Sequence, residues 1–174
     1  MSTLTREDAA IFIAELKKIN KNSVNGTIQI AGSYRRESPI LKDIDILWVS
    51  KKKQWSNTLV PINLLKLPGD VVESNNGIVH KLTTVKFKNK LIKCDMYVVN
   101  KFELPFALLH STGSKGSNLG LRIIAINKGW LLNQYGLWIR DKPTERVPTS
   151  EKIKDEKGVF QILGKKYKEP AERI

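Results

Sequence analysis

Residues 31–47 read AGSYRRESPILKDIDIL, with a Gly-Ser pair, two arginines and two aspartates one residue apart. Side chains alternate between the faces of a strand, so Asp43 and Asp45 point one way while Ile44 and Ile46 point into a core. The stretch around Asp95 follows the same logic: Asp95 and Tyr97 share a face, and Cys94 and Met96 take the other. If these two strands are neighbours, three carboxylates converge. Packed together they repel, and one would be forced to hold a proton. A divalent cation removes the conflict, and oxygen-only ligands suit Mg²⁺, which takes one or two carboxylates plus substrate phosphates. Two such ions about 3.5–4 Å apart hold both the attacking and the leaving oxygen of an in-line phosphoryl displacement. Asp-x-Asp alone is equally compatible with two solvent-facing aspartates at a strand entrance.

The Gly-Ser pair favours the first reading. Gly32-Ser33 lies where a strand ends and a helical turn is expected to begin. Backbone N–H groups exposed there attract phosphate, and glycine permits a close approach. Ser33 adds a hydroxyl donor, and Arg35 or Arg36 adds a planar cation suited to phosphate oxygens. Groups for an anion and groups for a cation thus flank one short loop, as a metal-bound triphosphate requires.

Several elements must position these residues. Thr5 is placed to cap a helix whose first turn carries Glu7 and Asp8, with Ile11, Phe12, Leu16 and Ile19 at helical spacing. Strands are expected over 27–31, 44–49, 70–73, 79–87 and 91–99, the last two joined by a turn at Lys88-Asn89-Lys90. Residues 104–110 read as a helix with Pro105 in its first turn. Ser114 is placed to cap another, with Leu119, Ile123, Ile124 and Ile126 on its buried side and Lys128-Gly129 at its end. Short strands are expected at 137–139 and at Val147 around an Asp141-Lys142-Pro143 turn, and a last helix over 151–163. His80 falls in a strand without a partner in view and reads as structural. The β-rich region stops near residues 100–105, where a domain boundary is expected.

Bulk properties narrow the partners. The 174 residues include 30 basic and 17 acidic side chains, a net charge of +13. That excess predicts attraction to a polyanion, most simply nucleic acid. No helix combines a strong apolar face with a lysine-rich one, so a membrane surface is not the expected partner. The apolar fraction of 41% is enough for a core. One cysteine, Cys94, excludes an intrachain disulfide and fits a reducing, intracellular compartment. No signal-peptide-like or membrane-spanning run is present in the sequence.

Gly-Ser, a short linker, Asp-x-Asp and a later Asp resemble the signature of the nucleotidyltransferase superfamily. More narrowly, GSYRRE followed by DIDIL resembles the family X DNA polymerases, which include polymerase beta. STGSKGSNLGLRIIAINKGWLLNQYGLW resembles that family's nucleotide-binding helix and the segment after it, and YKEPAERI resembles its Tyr-x-Glu-Pro-x-x-Arg ending. The resemblance runs from Gly26 onward. It implies an α+β fold class: a catalytic palm with a mixed or antiparallel sheet plus helices over 1–105, and a small α/β domain over 106–174 that closes on the incoming nucleotide. Larger members add a lyase domain and a helix-hairpin-helix DNA clamp, for which this length is expected to leave no room, as in the reduced enzymes of some large DNA viruses.

Carried over by position, the resemblance implies that Asp43, Asp45 and Asp95 hold two Mg²⁺ ions, with Mn²⁺ as an accepted substitute, and that Asp95 lies near the primer 3′-hydroxyl. Gly32, Ser33 and Arg36 would grip the triphosphate of a dNTP, and Arg35 would brace the loop. Gly113 and Ser114 would lie beside the sugar and phosphates. Asn118 would reach the minor-groove edge, and Arg122 the template strand. Lys115 stands where members often carry an acidic residue near the base. Where polymerase beta-like members have an aromatic pair that excludes a ribose 2′-hydroxyl, this chain has His110-Ser111, so sugar discrimination would fall to His110 and the backbone. Lys51, Lys52, Lys53, Lys128, Lys165, Lys166 and Lys168 would hold the DNA electrostatically. The implied activity is DNA-directed DNA synthesis on gapped or nicked DNA in short-patch or base excision repair, by a monomer, in a virion or at a viral replication site. A template-independent or small-molecule nucleotidyltransferase and a non-enzymatic nucleic-acid-binding module are the alternatives.

Overall fold

The computed structural model describes residues 3–51 and 62–173, so Lys52, Lys53 and Trp55 lie outside the described residues. The chain divides into two compact units, Met1–Lys101 and Phe102–Ile174.

In the first unit, a short strand β1 (Leu4–Thr5) leads into helix α1 (Arg6–Ile19). Thr5 caps this helix by accepting a hydrogen bond from the Asp8 amide. Then follow β2 (Gly26–Ile30), the single turn α2 (Gly32–Arg35), β3 (Ile40–Leu41) and β4 (Ile44–Ser50). Beyond a 3-10 turn at Ile62–Leu64 come β5 (Asp70–Ser74), β6 (His80–Phe87) and β7 (Lys90–Asn100). Five strands form one sheet in the order β2-β4-β7-β6-β5. The β4–β7 pair is parallel and the others are antiparallel. The β6–β7 link is a two-residue turn in which Lys88 and Asn89 both take positive φ, 46° and 61°. That backbone twist matches the twist of the flanking strands.

One face of this sheet is the core face. Ile44, Ile46 and Trp48 of β4, Val85 of β6, and Ile92, Cys94 and Met96 of β7 pack with Ala9, Phe12, Ile13 and Leu16 of α1. Phe12 meets Phe87 edge to face at 5.4 Å. The buried stripe of α1 therefore runs through Ile13, while Ile11 and Ile19 are exposed, correcting the helical face read from spacing. The register pairs Asp45 with Asp95 across β4–β7 and Leu82 with Asp95 across β6–β7, so these side chains share the opposite face.

The second unit begins with α3 (Leu104–Thr112) and α4 (Lys115–Asn127), continues through β8 (Trp130–Asn133), β9 (Gly136–Ile139) and β10 (Lys142–Arg146), and adds α5 (Glu156–Ile162) between 3-10 turns at Pro148–Lys152 and Pro170–Glu172. Its three strands form an antiparallel sheet in the order β10-β9-β8. Phe106, Leu109, Leu121, Ala125, Leu137, Val147, Val159, Phe160 and Leu163 make its core.

Four expectations change here. Helix α4 buries Leu121 and Ala125 and exposes Leu119, Ile123 and Ile126, because its many apolar residues offer two faces and the core takes the one with the smaller residue. Strand β8 is a four-residue apolar run without alternation, which leaves no periodic signal. Lys142 and Pro143 belong to the edge strand β10, an allowed place for proline, rather than to a turn. The expected helix over 151–163 is split: Asp155 caps α5 by accepting from the Gly158 amide, and an extended Ile153 ends the preceding 3-10 turn.

Candidate active site

Strand β4 delivers Asp45, half-buried, onto the face opposite the core, and Asp43 sits two residues earlier, just before the strand begins. Strand β7 delivers Asp95 in direct register with Asp45. The parallel pair therefore brings together the carboxylates that the sequence separates. Burial pushes the Asp45 carboxyl up to about 7, helped by the charges of Asp43 and then Asp95 and opposed by Arg36. Asp43 is also raised, first by burial and then by Asp95. Among the described residues no three His, Cys, Asp or Glu side chains already stand at cation-holding spacing. The cluster's chemistry nonetheless fits a hard divalent ion. It is all oxygen, and its carboxylates destabilise one another's charge, which a dication would relieve.

The Gly-Ser turn is built against this cluster. Gly32 has φ +60°, and a Cβ there would stand 1.6 Å from Oδ2 of Asp45. Only glycine supplies both that backbone conformation and that clearance. The Ala31 amide donates to the Asp45 carbonyl at 2.9 Å, fixing the turn to β4. Ser33, Arg35 and Arg36 are partly buried beside it, and Arg36 lies close enough to depress the Asp45 carboxyl.

Two neighbours were not legible as site residues. Arg6 donates from Nη1 to the Tyr34 carbonyl at 2.6 Å and lies 4.4 Å from the centre of the Tyr34 ring, bracing the Gly-Ser turn from α1. His80, expected to be structural and partnerless, has its Nε2 2.7 Å from Oδ1 of Asp95. The signal for His80 lies in the β6–β7 register, which pairs it with Tyr97, two residues beyond Asp95. No local pattern encodes that register.

In the second unit, Gly113 and Ser114 join α3 to α4 through a cis peptide, and the Ser114 hydroxyl accepts from the Ser117 amide. Asn118 donates to the His110 carbonyl at 2.8 Å, and Arg122 Nη2 lies 2.9 Å from His110 Nδ1. Burial, then Arg122, lowers the His110 pKa below its usual value. A guanidinium only donates, so Nδ1 accepts from Arg122 and the ring proton sits on Nε2. A shallow pocket is lined by His110, Asn118 and Arg122 with Phe106, Leu109 and Leu132. Lys115, Lys165, Lys166 and Lys168 are exposed. Lys128 lies 5.7 Å from the Trp130 ring centre, and Lys51 donates to the Ser23 carbonyl at 2.6 Å.

The architecture defines the class: an α+β fold of the polymerase beta type. The structure of Leishmania infantum polymerase beta in a ternary primer/template complex matches with a TM-score of 0.80 at 22% identity, covering 99% of this chain and 77% of that one. The family description "DNA polymerase beta thumb" fits residues 107–174. Repair DNA polymerase X of African swine fever virus (isolate Tick/Malawi/Lil 20-1/1983) is 28% identical over 91% of this chain and 85% of its own length. DNA polymerase lambda of Rattus norvegicus is 29% identical over 99% of this chain and 33% of its own length. These similarities, to the thumb family and to the repair polymerases, support a family X DNA polymerase.

Proposed function

We propose that this family X polymerase adds dNTPs to a primer 3′-hydroxyl by in-line phosphoryl transfer, filling short gaps during DNA repair. The observation that carries this reading is the in-register placement of Asp45 and Asp95 on the parallel β4–β7 pair, with Asp43 in electrostatic range. Asp43, Asp45 and Asp95 would hold two Mg²⁺ ions, which would supply charge neutralisation and Lewis acidity for the phosphoryl transfer.

The chain's own residues do the rest by position and charge. The primer 3′-oxygen forms its bond to the α-phosphorus as the bond to pyrophosphate breaks, and Asp95 would take the hydroxyl proton. Ser33 and Arg36 steady the triphosphate, and Arg36 offsets the charge that builds on it. In the second unit Gly113, Ser114 and Asn118 contact the nucleotide, and Arg122 and Lys115 the template side. The palm is assigned to 1–105 and the nucleotide-closing domain to 106–174. The viral relatives favour a role in an infected cell.

The deciding assay is Mg²⁺-dependent incorporation on a single-nucleotide-gapped duplex, run beside an ungapped primer-template and an untemplated single strand. Templated incorporation on gapped DNA supports the proposal. Equal extension of the single strand would instead favour a template-independent transferase, and binding without extension a non-enzymatic module.

Two expected results follow from particular residues. The excess of basic side chains makes DNA affinity depend on phosphate contacts, including Lys128, Lys165, Lys166 and Lys168. Affinity for gapped duplex is therefore expected to fall about a thousandfold or more between about 50 and 200 mM salt. A flat salt titration by fluorescence anisotropy would contradict the electrostatic account. Ser111 is small and closes the last turn of α3, where it presents no aromatic wall to a ribose. Ribonucleotide insertion is accordingly expected to compete with deoxyribonucleotide insertion, and Ser111→Tyr to raise discrimination about tenfold or more. Strict rejection of rNTPs by the wild type, unchanged in Ser111→Tyr, would sink this assignment.

A further inference from the structure

We propose that His80 is a positioning residue for Asp95, an inference that rests on the catalytic reading of Asp95 given above. A carboxylate only accepts hydrogen bonds, so the 2.7 Å contact places a proton on His80 Nε2, donated to Oδ1 of Asp95. The imidazole is itself held: it stacks on Tyr97 with ring centres 4.1 Å apart and planes 5° from parallel. The Val98 amide donates to the Val79 carbonyl at 2.8 Å, which pins the start of β6 to β7 beside that stack. Tyr97, His80 and Asp95 thus form a short chain of contacts, each link fixing the next.

This fixing matters because Asp95 stands on the sheet face opposite the α1 core, partly exposed and beside the exposed Leu82. The terminal torsion of an aspartate is broad, so an unheld carboxylate sweeps its oxygens over a wide arc. Holding Oδ1 leaves Oδ2 in a defined place for a cation or the primer hydroxyl. Hydrogen-bond partners of ligating groups typically contribute about 10- to 100-fold to metal affinity or activity. The stacked ring, rather than a flexible lysine or arginine, makes this donor rigid without burying it.

The test compares His80→Phe, which keeps a flat ring for Tyr97 and removes the donor, with His80→Gln, whose amide restores one. Three readouts are taken: kcat and KM for dNTP on gapped DNA, Mn²⁺ affinity of the DNA-free protein by electron paramagnetic resonance, and the thermal midpoint. His80→Phe is expected to lower kcat and Mn²⁺ affinity about tenfold or more. Its KM is expected to stay within about twofold, because the lost contact acts on the reacting centre rather than on dNTP binding. Its thermal midpoint should stay unchanged, since His80 is half-exposed, and His80→Gln should recover most of both losses. Wild-type kcat and Mn²⁺ affinity in His80→Phe, or a His80→Gln variant as impaired as His80→Phe, would overturn the proposal. If the wild type itself fails to extend a primer, the polymerase reading falls instead. The Mn²⁺ titration would still report whether His80 orders Asp95.

Discussion

Asp45→Asn and Asp95→Asn are each expected to abolish primer extension, lowering kcat by about a thousandfold or more, while the fold survives. Asparagine keeps the size of the side chain, and the backbone bonds of β4 and β7 do not depend on the carboxylates. What is lost is charge where a dication and a triphosphate must be held. For Asp45 the argument extends to stability. Its carboxyl is pushed up to about 7 by burial and by Asp43 and Asp95, so its charged form is costly in the free protein. A neutral amide removes that cost, and the Asp45→Asn thermal midpoint without divalent ions is expected to rise by about 2–4 °C, the shift that ~1 kcal/mol makes in a chain of this size. Near-normal extension by both variants would refute the assignment. A collapsed far-ultraviolet circular dichroism spectrum would show instead that the carboxylates support the fold.

The second large effect concerns Arg173. It is fully buried, donates from Nη1 to Glu156 Oε1 at 2.6 Å and from Nε to the Lys168 carbonyl at 3.0 Å, and lies 5.4 and 5.5 Å from the ring centres of Phe160 and Tyr167. The ion pair ties the segment after α5 back onto that helix. Arg173→Met leaves a buried glutamate without its guanidinium, and truncating one partner of such a pair costs about 3–5 kcal/mol. The double variant Glu156→Leu/Arg173→Met removes both charges and is expected to recover most of the loss. Urea unfolding followed by tryptophan fluorescence reads this, because Trp130 and Trp138 both lie in the second unit. A single variant as stable as the wild type would mean that the pair is dispensable, and a double variant worse than the single would mean that ring packing around Arg173 dominates.

The alternation Ile44-Asp45-Ile46 and its counterpart around Asp95 were enough to turn Asp45 and Asp95 away from the core, and Lys88-Asn89 between two strand-like runs was enough to place the hairpin. Both are local patterns, and local patterns survive in a single sequence. The exposed face of α4 was not legible, because Leu119, Leu121, Ile123, Ile124 and Ile126 satisfy two helical stripes and only the second unit's core chooses between them. His80 and Arg6 were missed for a related reason: their partners, Asp95 and Tyr34, come from strand register and helix docking rather than from spacing. The buried tie between Arg173 and Glu156 hid in the same way, since the Tyr-x-Glu-Pro-x-x-Arg ending shows the arginine but not the carboxylate it meets.

The parallel pairing of β4 with β7 sets a condition on how the protein matures. The loop that must close before Asp45 can meet Asp95 spans about fifty residues and includes the whole β5–β6 segment, so this contact is among the most entropically expensive in the first unit. The local β6–β7 hairpin can form early, whereas the long-range strand union comes late and slowly. Until β7 has left the ribosome, a nascent chain therefore holds two of the three carboxylates, Asp43 and Asp45, and only the arrival of β7 brings the third.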